Sequence, residues 1–538
     1  MSTTERLATT DQAGGTGTDS PMAAIPRWAS WAVGLFLLAL ALRILANVRV
    51  IDLDLFHEMA LIREALALGY LPKEDLFAYT STVSPSVHHE WGTGAVLYLI
   101  TVGLDLGSHG LSILRLLLLG VVAWCCVAIA QRRGASAVSL AVLAPLAIIL
   151  FWPGLAPVRA HLFTFALLAI LLYLLELDQG GSRRWLLLWP FLFVAWINLH
   201  GGFVVGMGML GVYTLERLVR TGWTRGWPMA LRHHGHLIGA GVVCIPLLLV
   251  NPYGLDYIPY MWHALLLDRP YIMEWSTIWS PGFRSGPLLF FLASLLILGY
   301  TLIRREGWAR APGVAMVLVA AVFAARSVRI LPLYALVWIA YVPPALQATP
   351  VAPLLTKVWN RRASWIGGVA LLVTVPLLVQ TFQYRPWQLL LPTQAGVHEP
   401  HYPVGAVDYL EKVGFRGNLM TPFRVGAFVS WHLYPEVLVG LDSRYEVAYP
   451  PAFVEEGIRV YGGQGDWRDF VERYPTDAVL APADGALDSL MVAQGGDSAP
   501  VWQEVYRDDG FVVFAHQRIA SGLPITDRRG VPLLATFP

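Results

Sequence analysis

Apolar runs long enough to cross a bilayer recur from residue 31 to about residue 380 and then stop. The chain has 538 residues, of which 56% are hydrophobic, and its mean hydropathy is +0.54. Such a composition is far too apolar for one soluble core. The sequence therefore predicts a polytopic α-helical membrane bundle followed by a small soluble α/β domain.

The apolar runs divide the first two thirds of the chain into about eleven predicted spans. Residues 1–28, rich in Ser, Thr, Gly and Ala, are expected to be a disordered cytoplasmic terminus, and residues 29–383 the membrane domain. The segment 94–108 is apolar but short, and we expect it to lie on the surface or re-enter rather than span. The predicted spans are 31–51, 111–131, 137–152, 162–178, 185–199, 203–218, 237–251, 287–303, 312–325, 330–346 and 364–381.

Five basic clusters lie between apolar segments, as in cytoplasmic loops. If all five basic clusters lie on the cytoplasmic side, the opposite ends of the helices lie on the external side. The unusual motifs at those ends then share the external side with the loop after the first span. This orientation predicts a bacterial inner-membrane protein with an external site. The clusters are Arg132 with Arg133, Arg183 with Arg184, the stretch from Arg217 to His236, Arg304 and Arg305 with Arg310, and Lys357 with Arg361 and Arg362.

Charge is concentrated directly after the first span, in the predicted external loop 52–92. Asp52, Asp54, His57 and Glu58 occur within seven residues. If Asp54 begins a helix, His57 and Glu58 at i+3 and i+4 share its face. Because acidic groups beside a membrane are costly to desolvate, they indicate a cation site or a catalytic base. The alternative is an acidic helix cap followed by a solvated loop.

The last part of the chain, residues 384–538, has an ordinary polar balance. Short alternating segments at 437–444, 477–482 and 510–517 predict strands, and residues 467–474 predict a helix. We find no phosphate loop, nucleophile elbow or metal-ligand spacing here, so this domain is expected to be non-catalytic and to cover the membrane cavity. Four residues suit sugar or acceptor contacts, or else form core and local pairs: Arg424, Trp431, Asp442 and Arg444.

Two features exclude other classes of function. The net charge of +1 gives no reason to expect nucleic acid as a partner. The three cysteines, Cys125, Cys126 and Cys244, lie in apolar stretches and imply neither a disulfide framework nor a thiolate metal site.

The motifs together resemble the C-type glycosyltransferase superfamily, which includes protein O-mannosyltransferases and lipid A aminoarabinose transferases. The loop is similar to D-x-D-aromatic-aromatic-H, G-x-x-P-x-x-D-x-F-x-Y-T and E-W, with Leu55 departing from the usual aromatic. A later W-x-N-x-H-G-G-F and an N-P-Y-G at 251–254 also match. The matching positions are Asp52, Asp54, Phe56, His57, Gly69, Pro72, Asp75, Phe77, Tyr79, Thr80, Glu90, Trp91, Trp196, Asn198, His200, Gly201, Gly202 and Phe203.

The resemblance implies an inverting enzyme that moves a sugar from a polyprenyl-phosphate donor to an acceptor hydroxyl on a glycan, lipid or protein. Such chemistry needs a carboxylate base and cations that hold the phosphate. Asp54 is the first candidate for the base and Asp52 the second; either could instead bind a divalent cation such as Mg²⁺ or Mn²⁺, although no metal ligand set is assigned. The expected phosphate-binding residues are Arg159, Arg326 and Arg329, and the other candidates for substrate binding are His57, Glu58, Glu90, His161, Asn198, His200 and Glu274.

Alternatives remain open for these residues and for the whole chain. Arg326 and Arg329 could be ordinary interfacial arginines, and residues 198–202 a packing turn in which glycine lets two helices approach. An oligosaccharide ligase or polymerase would share the lipid-linked donor. A transporter or flippase would also bury charge among helices, but more often with internal repeats and interrupted helices near mid-membrane.

Overall fold

The computed structural model describes residues 27–46, 51–52, 54–155, 158–269, 272–283, 286–304, 313–383, 385, 389, 402–493, 501–531, 533 and 537. A helical part is followed by a smaller part that contains a β-sheet. The helices of the first part are α1 (Arg27–Ala46), α2 (Asp54–Leu68), α3 (Trp91–Tyr98), α4 (Gly107–Arg132), α5 (Ala137–Leu150), α6 (His161–Gln179), α7 (Trp185–Leu199), α8 (Phe203–Arg225), α9 (Trp227–Leu247), α10 (Tyr257–Leu266), α11 (Pro287–Arg304), α12 (Val314–Arg326), α13 (Leu331–Gln347) and α14 (Val351–Gln383).

Within the described ranges, six helices are long and apolar enough to cross a membrane. The predicted number of about eleven spans is therefore not confirmed, although a helix occupies most of each predicted segment. Four further apolar helices are shorter, and α8 and α9 meet neither description. The six long helices are α1, α4, α6, α11, α14 and the stretch Val328–Gln347 that includes α13.

Two local predictions about the bundle need correction or refinement. Lys357, Arg361 and Arg362 lie inside the 33-residue helix α14 rather than in a loop, so that loop prediction was wrong. The apolar segment at 94–108 is covered by α3, a π-helical continuation over Leu99–Gly103 and the start of α4. The predicted terminus at 1–28 and the linker after α14 fall mainly outside the described residues.

The C-terminal part is built on a six-stranded sheet in the order β2-β1-β3-β5-β4-β6. The strand β1 pairs parallel with β2 and β3, whereas β5 runs antiparallel to β3 and β4. The predicted strands at 477–482 and 510–517 and the predicted helix at 467–474 are confirmed, whereas the strand predicted at 437–444 covers only Val437–Val439. The elements are α15 (Val404–Lys412), β1 (Gly417–Met420), α16 (Gly426–Leu433), β2 (Val437–Val439), α17 (Tyr445–Ala448), α18 (Pro451–Tyr461), α19 (Trp467–Glu472), β3 (Ala478–Pro482), α20 (Ala486–Val492), β4 (Trp502–Arg507), β5 (Phe511–His516), α21 (Gln517–Ala520) and β6 (Thr526–Asp527).

The loop after α2 extends this sheet at its β2 edge. Ala78 forms a parallel bridge with Val439, and the N–H of Tyr79 donates to the carbonyl of Val439 at 3.2 Å. The hydroxyl of Thr80 also donates to the carbonyl of Gly440 at 2.6 Å. Because these bonds satisfy an otherwise open sheet edge, the loop and the C-terminal domain form one packed unit.

The helix α2 packs against the same domain. The Phe56 ring lies edge-on to Phe428 of α16, with centroids 5.0 Å apart, and the hydroxyl of Tyr402 donates to the carbonyl of Ile51 at 2.6 Å. The guanidinium of Arg63 stacks on Trp431 at 4.9 Å from the ring centroid. The domain therefore contacts the helix that begins at Asp54 at its start and along its middle.

A buried ionic group joins the loop to the domain. Arg444, 3% exposed, donates to Asp442 at 2.7 and 2.9 Å and forms an ion pair with Asp75 of the loop. Trp431 is also buried, while Arg424 is exposed. The interpretation of Asp442 and Arg444 as sugar contacts was wrong, because their charged groups are buried and form ion pairs within the protein. The alternative of a local structural pair is correct.

Candidate active site

The acidic segment after α1 surrounds one arginine. Asp54 begins α2, and its backbone N–H donates to Asp52 Oδ1 at 3.1 Å, so Asp52 also acts as a helix cap. Arg159 Nε lies 2.6 Å from Asp52 Oδ1, and Arg159 Nη2 lies 2.9 Å from Asp54 Oδ2. Arg159 lies in the connection between α5 and α6, which the fold places beside the N-terminus of α2.

A third carboxylate and a second guanidinium extend this group. Glu274 Oε1 lies 3.7 Å from Arg159 Nη1 and 2.7 Å from Arg329 Nη1. The segment around Glu274 is held on the α12–α13 turn, where the Ser327 hydroxyl donates to the carbonyl of Glu274 at 3.2 Å. With every group ionised, three carboxylates and two guanidinium groups leave this cluster with one net negative charge.

Burial changes the protonation of the two aspartates. Burial raises the pKa of Asp52 to about 6. The Arg159 charge opposes this increase, and the Asp54 charge adds to it. Burial likewise raises the pKa of Asp54, and the Arg159 charge again opposes the increase. Carboxylates with raised pKa values are stronger bases that remain available near neutral pH.

A second group of titratable side chains centres on Glu90, at the start of α3. Glu90 Oε1 lies 3.3 Å from His89 Nε2 and 3.4 Å from His200 Nε2. Glu58 of α2 also lies near Glu90, and each of these two carboxyl groups affects the pKa of the other. Burial raises the pKa of Glu58 well above its usual value. For Glu90 burial acts in the same direction, but the neighbouring His89 and His200 lower its pKa well below the usual value.

A chain of hydrogen bonds sets the tautomer of His200. The Gly202 N–H donates to His200 Nδ1 at 3.1 Å, and the Thr164 hydroxyl lies 2.7 Å from the same nitrogen. Trp196 Nε1 donates to the Thr164 oxygen at 2.8 Å, so this hydroxyl has its proton free for His200. A neutral ring therefore carries its proton on Nε2, facing Glu90.

Two glycines of the E-W-G-T-G stretch allow the close helix contacts that bring these groups together. A Cβ at Gly92 would lie 2.6 Å from the backbone oxygen of Asn198, and one at Gly94 would lie 2.7 Å from the backbone oxygen of Glu58. Both distances are too short for any residue but glycine. Within 198–202, a Cβ at Gly202 would lie 2.4 Å from Thr164 Oγ1, so the alternative of a packing turn describes this glycine correctly.

Gly94→Ala is expected to destabilise the protein by about 1–3 kcal/mol, because the added methyl group forces α2 away from α3. Thermal unfolding in detergent measures this change. Gly208→Ala in α8 is the matched control, since a Cβ there meets nothing within 4 Å. Equal melting temperatures for the two variants would contradict the packing argument.

The remaining predicted site residues divide into near and distant ones. His57, at the i+3 position from Asp54, and His161, the first residue of α6, each have a buried ring nitrogen that finds no hydrogen-bond partner among the described residues. The Asn198 amide instead accepts from Trp91 Nε1 at 2.9 Å and donates to two backbone carbonyls. Arg326 is exposed and forms no ion pair with the described residues.

His89 and Thr164 belong to this site but were not predicted from the sequence. His89 had a usable signal, because it stands directly before Glu90 in a run of two histidines. Thr164 had none, since a lone threonine in an apolar helix has no distinguishing pattern.

The described residues contain no group of three or more His, Cys, Asp or Glu side chains arranged to hold a metal ion. The three carboxylates that come closest, Asp52, Asp54 and Glu274, all face Arg159. Its guanidinium takes the central position that a divalent cation would need, so these residues as arranged do not fit a metal centre.

No family model matches the chain, and no curated protein matches its sequence. Among solved structures, the chain is similar to a crystal structure of the Archaeoglobus fulgidus oligosaccharyltransferase in complex with zinc and sulfate. The TM-score is 0.48 and the sequence identity 10%, over 83% of this chain and 68% of the other. The functional argument therefore depends on the residues of this chain.

Proposed function

We propose that this protein is a membrane glycosyltransferase that moves a sugar from a polyprenyl-phosphate donor to an acceptor hydroxyl, with inversion, on the external face of a bacterial inner membrane. The observation that carries the proposal is the cluster of Asp52, Asp54 and Glu274 around Arg159 and Arg329. The loop motifs that resemble the C-type superfamily support it independently.

In this mechanism the acceptor oxygen attacks the anomeric carbon, and the bond from that carbon to the phosphate oxygen breaks. The electron pair leaves with the polyprenyl phosphate, and the hydroxyl proton passes to the carboxylate of Asp54. Arg159 and Arg329 face the leaving phosphate, for which guanidinium groups offer paired N–H donors. Arg326 has no part in this proposal, because it lies outside the cluster.

The net negative charge of the cluster suits the reaction. Glycosyl transfer builds positive charge at the anomeric carbon in the transition state. Carboxylates already fixed by Arg159 and Arg329 stabilise that charge without reorganising as the reaction proceeds. The net negative charge of the cluster would also attract an added cation. The transfer assay is therefore run with and without EDTA, and loss of activity in EDTA would assign part of the phosphate binding to a metal.

The direct test uses the purified full-length chain with a radiolabelled polyprenyl-phosphate sugar and a membrane extract as the acceptor source. Transfer of label to an acceptor, with loss of activity in Asp54→Asn, is expected. Movement of labelled lipid between vesicle leaflets without any sugar transfer would instead favour a flippase.

Transfer by the wild type is expected to decline in acid as Asp54 becomes protonated, at a pH above the usual range of an aspartate because burial raises the pKa of Asp54. Protonation removes the base, so activity is present above this pH and lost below it. Arg159→Gln should shift the decline to higher pH, because the Arg159 charge lowers the pKa of both aspartates. The measurement is kcat/KM against pH.

Arg326→Gln is the control for this pH profile, since the exposed Arg326 forms no ion pair in the described part of the chain. An equal shift in both arginine variants would mean that surface charge, and not the Arg159 contact, sets the profile.

A further inference from the structure

Trp275 has no part in the mechanism above, yet it contacts one of the two arginines that face the phosphate. It follows Glu274 directly in the short 3₁₀ turn between α10 and α11. Glu274 pairs with Arg329 at 2.7 Å, and the guanidinium carbon of Arg329 lies 5.0 Å from the centroid of the Trp275 ring. One turn therefore holds this guanidinium both by a carboxylate and by an aromatic ring.

A second arginine contacts the same ring and reaches the C-terminal domain. The guanidinium carbon of Arg269 lies 4.8 Å from the centroid of Trp275. Arg269 also donates to the carbonyls of Ala264 and Leu267, at 2.9 and 3.1 Å, and forms an ion pair with Glu446 of α17. The side chains of Arg269 and Glu446 are only 7% and 12% exposed. A buried ion pair thus links the domain to the ring.

The two guanidinium groups beside the ring carry like charges, and each is balanced by its own carboxylate. Glu446 pairs with Arg269, and Glu274 pairs with Arg329. The face of a tryptophan ring attracts a guanidinium group, most strongly where water is partly excluded. Because an arginine side chain has many rotamers, a ring and a carboxylate that restrict Arg329 reduce the entropy that it loses on binding a phosphate.

We propose that Trp275 is a positioning residue that holds Arg329 toward the donor phosphate, and that Arg269 and Glu446 connect this arrangement to the C-terminal domain. The inference rests on the proposed function, in which Arg329 faces the leaving phosphate. Because the ring acts through Arg329, it affects recognition of the phosphate and not of the lipid chain. The C-terminal domain thereby contributes to donor binding as well as to the expected cover of the cavity.

The test compares the binding of farnesyl phosphate, a short polyprenyl phosphate, with that of farnesol, which has the same chain without the phosphate. Labelled forms of both are bound to the purified full-length protein. Trp275→Leu should weaken farnesyl phosphate binding about 5- to 10-fold, because the contact between ring and guanidinium is lost, and should leave farnesol binding unchanged. Trp275→Phe keeps an aromatic face and should recover most of the affinity.

Trp262→Leu is the matched control, because Trp262 is 67% exposed in the preceding helix α10. It should bind both compounds like the wild type. An equal loss in Trp262→Leu and Trp275→Leu would overturn the proposal, since it would show a general effect of removing an exposed tryptophan. An equal loss of farnesol binding in Trp275→Leu would also overturn it, because the ring would then be a contact of the lipid chain.

A double variant tests whether the ring acts through Arg329. Arg329→Gln should itself weaken farnesyl phosphate binding. In this background Trp275→Leu should add less than about 2-fold, because no guanidinium remains for the ring to hold. Fully additive losses would contradict the positioning role.

Glu446→Gln tests the connection to the domain. Its amide keeps the size of the side chain but loses the charge that balances Arg269, so farnesyl phosphate binding should weaken about 3-fold with farnesol binding unchanged. Glu411→Gln, at an exposed carboxylate of α15 in the same domain, is the control. Wild-type affinity in Glu446→Gln would overturn the role of the domain.

The transfer assay separates this inference from the proposed function. Trp275→Leu should raise the donor KM, with kcat changed less than about 3-fold. A wild type that binds farnesyl phosphate through Arg329 but transfers no sugar would contradict the proposed function alone. Normal transfer by the wild type, with unchanged phosphate binding in Trp275→Leu, would contradict the positioning role alone.

Discussion

Asp54→Asn is expected to slow sugar transfer by about 10²–10⁴-fold, the usual contribution of a general base. The amide has almost the same size as the carboxylate and can still accept from Arg159 through its oxygen, so the geometry around the 2.9 Å contact should persist. Only the ability to take a proton is lost. The measurement is kcat with a labelled polyprenyl-phosphate sugar, beside a thermal unfolding curve.

Asp52→Asn should reduce transfer less, because Asp52 is held more closely by Arg159 and by the cap of α2. Asp256→Asn, which removes an exposed carboxylate paired with Lys73, is the control and should leave the rate unchanged. A nearly inactive Asp52→Asn beside an active Asp54→Asn would assign the base to Asp52. Activity in both variants would place the base elsewhere.

Arg444→Ala is expected to destabilise the protein by about 3–5 kcal/mol, which is the typical cost of removing one partner of a buried ion pair. Asp75 and Asp442 would be left with buried, uncompensated charges, since the side chains of both are 1% exposed. Because Asp75 belongs to the loop that follows α2, we expect transfer activity to fall together with the melting temperature. Thermal unfolding in detergent measures the effect.

Arg459→Ala is the matched control, because Arg459 is exposed in α18 of the same domain and should change the melting temperature little. Adding Asp75→Asn to Arg444→Ala should recover part of the loss, since it removes one of the two stranded charges. Equal melting temperatures for Arg444→Ala and Arg459→Ala would show that the loop and the domain do not depend on this contact.

The local features of the site could be predicted from sequence because short-range geometry determines them. An aspartate at the end of an apolar run begins α2, and the helical spacing then places Glu58 on the face of Asp54. Three of the six strands of the C-terminal sheet, β2, β3 and β5, fall in segments predicted from their alternating pattern, whereas β1, β4 and β6 were not predicted. The number of spans was less accessible, since the described helices differ widely in length and several are short.

The choice among three arginines shows where local reasoning ends. Arg159, Arg326 and Arg329 all stand at helix ends in apolar surroundings, and nothing in their neighbours along the chain distinguishes them. Arg159 and Arg329 both contact Glu274. Arg326, three residues before Arg329, is exposed and forms no ion pair with the described residues. That difference arises from the turn between α12 and α13.

By itself, then, the sequence determined the helical membrane class, the helix that begins at Asp54 and the position of Glu58 on its face, because hydrophobic length and helical period are local properties. Only the tertiary structure decided what those charges meet. Asp75 reaches Arg444 across 369 residues of chain, and Glu58 packs closely against α3 only because Gly94 has no side chain. Such pairs depend on the packing of distant elements, and the energy of a buried charge depends on that packing.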